Sequence, residues 1–208
     1  MSQTFKIRKG HDIKLVGSAP KTDLGRITAS TYAVTPLDFP GITPKLAVKT
    51  GTQVKAGDTL FFDKDRPEVK ICSPVSGEVA EVKRGAKRKI LAVLILADAD
   101  ITYADHGAFS FSGATREDAE AHFSATGVGA FITSRPYGVA AGMSEKPRAI
   151  FVNGIQSGPL AGDLAYQLEG KEKSIATALK ALKLMTEGTV YVSHDADHAP
   201  IEALQSLD

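Results

Sequence analysis

Between residues 45 and 96 short apolar runs alternate with turns built on Gly51, Gly57, Ser76-Gly77 and Arg84-Gly85: KLAVKTGTQVKAGDTLFFDKDRPEVKICSPVSGEVAEVKRGAKRKILAVLIL. β-Branched and aromatic residues bounded by turn residues read as strands. The pattern predicts them at 13–16, 31–34, 45–48, 59–62, 69–72, 78–82 and 90–97. Residues 78–82 alternate polar and apolar, which suits a strand with one wet face. The run ILAVLILA at 90–97 is apolar throughout and reads as a buried strand. Pro36, Pro40 and Pro44 predict an irregular loop over 36–44.

After residue 98 the rhythm changes. Thr115-Arg116-Glu117-Asp118 fits a capping box with Asp in place of the usual Glu, and predicts a helix over 116–126. Ala119 and Phe123 would face inward, and Gly127 and Gly129 would end it. From Pro147 a strand (149–152), a loop NGIQSGPLAGD, a helix (171–187, with Ile175, Leu179, Leu182 and Met185 inward) and a strand (189–192) make one β-loop-α-β unit. Its strands would lie parallel with a right-handed crossover. One such unit is an incomplete α/β domain, finished by further chain or by another subunit. The organisation is therefore 1–98 as a β domain, 99–147 as a linker with a helix and a T-S-R-P loop, and 148–208 as a partial α/β domain.

Composition alters little. The chain has 208 residues, 43% hydrophobic and 24% charged, with a net charge of +1. That balance gives no global electrostatic reason to expect nucleic acid or anionic lipid. No apolar run approaches the ~20 residues that span a bilayer, and MSQTFKIRKGHD lacks a signal-peptide core. Cys72 alone forms no internal disulfide or metal centre, so a reducing, cytoplasmic setting is expected. The five histidines are His11, His106, His122, His194 and His198. His194-Asp195-Ala196-Asp197-His198 could attract a metal or could be a solvated loop; it follows a strand rather than lying on a helix, and no metal site is expected. No catalytic set is visible. Asn153, Ser157 and Asp163 line the loop after the 149–152 strand, where open α/β sheets bind ligands, but the composition also suits a plain turn.

VKTGTQVKAGDTL followed by SPVSGEV resembles the barrel-sandwich hybrid fold of biotinyl and lipoyl carrier domains, with Val54, Leu60 and Val79 filling a small core. The carrier lysine has no counterpart: Lys64 is flanked by two Asp, but the carrier position falls near Arg66, and Pro67 interrupts the strand. A wider resemblance covers nearly the whole chain. FKIRKGHDIKLVGSAP, LFFDKDRPEVKICSPVSGEVAEVKRGAKRKIL, TSRPYG and AIFVNGIQSGPLAGD resemble, in order, four blocks of the A-subunit family of the sodium-translocating NADH:quinone oxidoreductase, which is related to RnfC-type subunits.

The resemblance implies a multi-domain α+β protein: an N-terminal all-β barrel-sandwich hybrid (biotinyl/lipoyl-like), then the start of a Rossmann-like α/β domain. It implies a subunit of an NADH:quinone reductase on the cytoplasmic face of the bacterial inner membrane, held there by integral membrane partner subunits, with no span of its own and no nucleic acid. FMN, FAD and 2Fe-2S are expected in partner subunits, with none bound here and quinone as the substrate of the complex. The family's quinone-associated loops fall on Phe39 and Gly41 and on Phe131, Arg135, Pro136 and Tyr137. Flat aromatics could wall a quinone ring, and Arg135 could donate to its carbonyl. Equally, Phe131 could be core and Arg135 a surface ion pair. Two alternatives remain: an RnfC-like subunit binding flavin and NADH through Gly127-Val128-Gly129, or a biotin- or lipoyl-type carrier. The first needs a bare backbone against a phosphate, and Phe131, Ile132 and Arg135 bring bulk there.

Overall fold

The computed structural model describes residues 3–6, 8–10, 13, 15–17, 20–156, 158, 160–194 and 204. His11, Ser157 and the segment 195–198 lie outside the described residues. The chain divides into two compact units, Arg26–Lys146 and Met1–Gly25 with Pro147–Asp208.

In the first unit the strands are β1 (Thr31–Val34), β2 (Pro44–Leu46), β3 (Gln53–Val54), β4 (Thr59–Asp63), β5 (Lys70–Cys72), β6 (Gly77–Arg84) and β7 (Ile90–Ala97). They form a four-stranded sheet in the order β1-β7-β6-β3 and a three-stranded sheet in the order β2-β4-β5. Apolar residues from both sheets meet in one core that includes Val54, Leu60, Phe61, Ile71, Val79, Val93 and Ile95. Each large side chain buried there stabilises the fold by about 1.5–3 kcal/mol.

Strand β7 has neighbours on both edges, which is why an apolar run can sit there, and its residues Ile90, Ala92, Val93 and Ile95 are buried. The alternation expected over 78–82 breaks at Ala80-Glu81, which are both exposed. A bulge between Val79 and Glu81 inserts one residue, so the inward set slips by one. A register shift between Thr59 and Phe61 likewise accompanies the burial of two successive residues, Leu60 and Phe61.

Helix α1 (Arg116–Thr126) starts as the capping box requires: the Asp118 amide donates to Thr115 Oγ1 (3.2 Å), and the Thr115 amide donates to Asp118 Oδ2 (2.8 Å). Ala119 and Phe123 are buried. A 3-10 turn (Val128–Phe131) and a two-stranded ribbon, β8 (Thr133–Ser134) with β9 (Val139–Ala140), follow. Ala130 and Ala140 join the core of the sheets.

The second unit holds β10 (Ala149–Asn153), α2 (Leu164–Leu168), α3 (Glu172–Leu184) and β11 (Thr189–Ser193). β10 and β11 are parallel in the register Ala149↔Thr189, as a helical crossover demands. On α3, Leu179 and Ala181 are buried, as is Met185 at its C-cap, and Ile175 and Leu182 are partly buried.

Several expectations are corrected. The helix expected over 171–187 stops at Leu184, ahead of Gly188. Thr186 takes over there, its Oγ1 donating to the Pro147 carbonyl (2.7 Å) and accepting from the Gly188 amide (3.0 Å). Ile13, Leu15 and Val16 lie in no strand and are exposed. The 36–44 loop contains a 3-10 turn (Pro36–Asp38), and Pro44 opens β2. The Arg84-Gly85 turn does not use its glycine for a left-handed step; Lys87 (φ 53°) and Arg88 (φ 59°) adopt it instead.

Candidate functional site: an aromatic cleft

A cleft of about 350 Å³ opens in the first unit between the segment after β1 and the β8–β9 ribbon. That volume falls within the range of small-ligand pockets. Ala33, Val34, Asp38, Phe39 and Pro40 form one side, and Ala130, Phe131, Thr133, Gly138 and Ala140 the other. The 3-10 turn after β1 delivers Phe39, because Pro36 presets its backbone and the Phe39 amide donates to the Pro36 carbonyl (3.2 Å). The second 3-10 turn delivers Phe131, with the Ile132 amide donating to the Gly129 carbonyl (3.1 Å).

The two rings meet edge to face at 5.6 Å between centroids. Phe39 leans on the buried Phe61 at 6.4 Å and is partly buried, whereas Phe131 is 76% exposed. One wall is thus anchored in the core and the other is free in solvent. Phe131 is therefore not a core residue. A planar apolar ring could lie against either face, and Thr133, which lines the cleft, carries a hydroxyl of the kind that donates to a carbonyl.

Of the six residues singled out from sequence, the structure brings Phe39 and Phe131 together. Gly41 sits just beyond Pro40 with φ 80°, and a Cβ there would run into the Val139 side chain of β9. Arg135, Pro136 and Tyr137 lie on the turn between β8 and β9, outside the cleft lining. The Arg135–Pro136 peptide is cis and the Gly138 amide closes the turn on Ser134 (2.8 Å). Tyr137 is 81% exposed, and Arg135 forms no ion pair among the described residues. Thr133 and Asp38 went unnoticed in the sequence, since nothing local marks them as facing the aromatic pair.

Arg66 also carried no such signal. It lies in the β4–β5 connection, yet its guanidinium ties the two sides of the cleft. Nε donates to Asp63 Oδ2 (2.8 Å), one terminal nitrogen donates to the Ala140 carbonyl (2.5 Å) and the other to the Gly41 carbonyl (3.1 Å). Asp63 is 1% exposed, and its other oxygen accepts from the Thr43 amide (2.9 Å). Burial pushes the Asp63 carboxyl up, but the Thr43 N–H, the Arg66 guanidinium and the Asp65 N–H outweigh it and hold it below the ordinary carboxylate range.

Residues 5–98 match the family model of the NqrA N-terminal barrel-sandwich hybrid domain, and residues 114–208 match that of the NqrA second alpha/beta domain. The chain belongs to the NqrA family. Curated relatives named as the A-subunit of Na(+)-translocating NADH-quinone reductase include those of Photorhabdus laumondii, 29% identical over 198 residues (94% of this chain, 44% of the relative), and Cellvibrio japonicus, 31% identical over 190 residues (90% and 42%). That of Teredinibacter turnerae is 30% identical over 192 residues (91% and 43%). The chain thus spans less than half the length of these NqrA relatives.

Two features bear on the readings outside the NqrA family. At the hairpin where a carrier domain would present its lysine, Arg66 is bound into the body of the protein, and exposed Lys64 is tied by its amide to the Thr43 carbonyl (2.8 Å). Gly127 and Gly129 are occupied by packing. A Cβ on Gly127 would meet Cys72 Sγ, at 2.6 Å, and one on Gly129 the sulfur of Met143. Burial raises the Cys72 thiol pKa, as suits an inert packing residue. The described residues contain no group of three or more His, Cys, Asp or Glu placed to hold a metal, and no helix among them is long and apolar enough to cross a membrane.

Proposed function

We propose that the chain is part of a subunit of a sodium-translocating NADH:quinone reductase, and that its aromatic cleft holds the quinone ring. The edge-to-face pair of Phe39 and Phe131, rooted in the core on one side and exposed on the other, carries this reading. Phe39 and Phe131 would flank the ring on one side as a continuous aromatic wall, Thr133 would donate to a carbonyl, and Arg66 would keep the two sides of the cleft at a fixed separation. The subunit would sit on the cytoplasmic face of the inner membrane, bound to integral membrane subunits. FMN, FAD and 2Fe-2S would reside in other subunits of the complex, where hydride and electron transfer would take place. This chain binds and orients the acceptor.

Titration of the 208-residue chain with a short-chain ubiquinone, followed by methyl NMR, tests this. Shifts are expected at Val34, Ala130, Thr133 and Ala140, and are expected to weaken in Phe131→Ala. Shifts of the amides at 127–130 with FMN or NADH, while quinone leaves the spectrum unchanged, would replace this reading with the nucleotide-binding one.

A further inference from the structure

The turn between β6 and β7 carries Lys83, Arg84, Lys87, Arg88 and Lys89 within seven residues, all exposed. The ion pairs among the described residues are Lys21–Asp163, Arg66–Asp63 and Arg116–Glu120, so none of these five cations is neutralised by a carboxylate. The nearest acidic side chain along the strand, Glu81, is exposed and is likewise in no ion pair.

The turn is well fixed by its own bonds. The Gly85 amide donates to the Lys89 carbonyl (2.8 Å), the Lys89 amide to the Ala86 carbonyl (3.2 Å), and one Arg84 nitrogen to the Arg88 carbonyl (3.0 Å). Two successive non-glycine residues, Lys87 and Arg88, hold positive φ. Left-handed backbone at non-glycine residues is uncommon and clusters at functional sites, and the five cations give this end of the sheet a local positive field.

The position of the turn in the sheet indicates which partner. β1 runs antiparallel to β7 with Val34 opposite Val93, so the end of β1 that feeds the cleft lies at the same end of the sheet as the cationic turn. A lipophilic quinone is stored in a bilayer. A cationic turn beside the cleft would bring the opening to the surface that holds the ligand. The turn contains no aromatic residue on which nucleic-acid bases could stack.

We propose that the β6–β7 turn docks on anionic phospholipid headgroups at the membrane surface. The choice of lipid rests on the quinone reading of the cleft; the docking itself can be measured without quinone. The net charge of +1 means that attraction must come from the local cluster rather than from the molecule as a whole.

The experiment is co-sedimentation of the 208-residue chain with phosphatidylcholine vesicles and with phosphatidylcholine–phosphatidylglycerol vesicles, at low and high salt. Binding is expected only to the anionic vesicles and is expected to fall with salt. Each juxtaposed cation contributes about a fivefold change in partitioning, so Lys87→Gln/Arg88→Gln/Lys89→Gln should lower it by about a hundredfold. Lys87→Arg/Lys89→Arg should retain it. Lys171→Gln/Lys173→Gln/Lys180→Gln, which removes equal charge from exposed positions of the other unit, should also retain it. Absence of binding to anionic vesicles, or equal losses in the two glutamine triples, would overturn the proposal. Quinone shifts measured on the same variants without vesicles separate this outcome from failure of the cleft reading.

Discussion

Replacing Arg66 with Ala should affect both the stability of the first unit and the geometry of its cleft. The substitution removes three hydrogen bonds, to Asp63, Gly41 and Ala140, and leaves a carboxylate that is 1% exposed without its cation. Breaking a fully buried pair costs about 3–5 kcal/mol. Arg66 keeps 23% of its side chain exposed and Asp63 retains the Thr43 N–H, so the cost falls below that of a fully buried pair and a loss of about 2–4 kcal/mol is expected.

The acid limb gives a second readout. The folded Asp63 carboxyl lies below its ordinary value of about 3.9, so the clamp's contribution is complete above that pH and is lost as the pH falls through the folded value. In Arg66→Ala the hydrogen bond and charge of the guanidinium no longer oppose burial. The carboxyl rises, and the acid-side loss should shrink. Urea denaturation followed by circular dichroism across pH, with Asp63→Asn and the double variant completing the cycle, measures both effects. A coupling below about 0.5 kcal/mol, together with an unchanged acid limb, would show that Arg66 does not clamp the cleft.

Three other outcomes follow from the same contacts. Gly41→Ala places a methyl against Val139 at a position with φ 80°, and should weaken short-chain quinone binding by about tenfold or more in the NMR titration, since a displacement of the wall of an ångström is felt strongly. Thr115→Ala removes half of the capping box on α1 and should lower the urea-derived stability of that unit by about 1 kcal/mol. The partly buried Cys72, its thiol pKa raised by burial, should react with an aromatic disulfide at least about tenfold more slowly in the native chain than in urea.

Much of the fold was legible because its signals are local. The strand at Thr31–Val34, the strand at Ile90–Ala97 and the helix at Arg116–Thr126 coincide with the expected spans, each marked by its own apolar period or cap. The two-residue strands β3, β8 and β9 were missed because two residues carry no period. Helix α2 was hidden in a loop rich in Gly and Pro, and its start depends on Asp163 accepting from the Tyr166 amide, a cap followed by only five helical residues.

The cleft was legible in part. The resemblance pointed to Phe39 and Phe131, which meet in space although 92 positions separate them in sequence. Arg135 was singled out for its charge and lies outside the lining. Arg66 sat beneath a comparison with carrier lysines, and its contact with Ala140, 74 residues away, is a product of tertiary folding that no local pattern encodes.

The most direct test concerns quinone use by the assembled complex. In native membranes carrying the Phe131→Ala protein, KM for quinone should rise about tenfold or more, while kcat and NADH oxidation by an artificial acceptor that bypasses quinone stay near the parental values. An unchanged quinone KM with the complex still assembled would contradict the placement of the acceptor against Phe39 and Phe131.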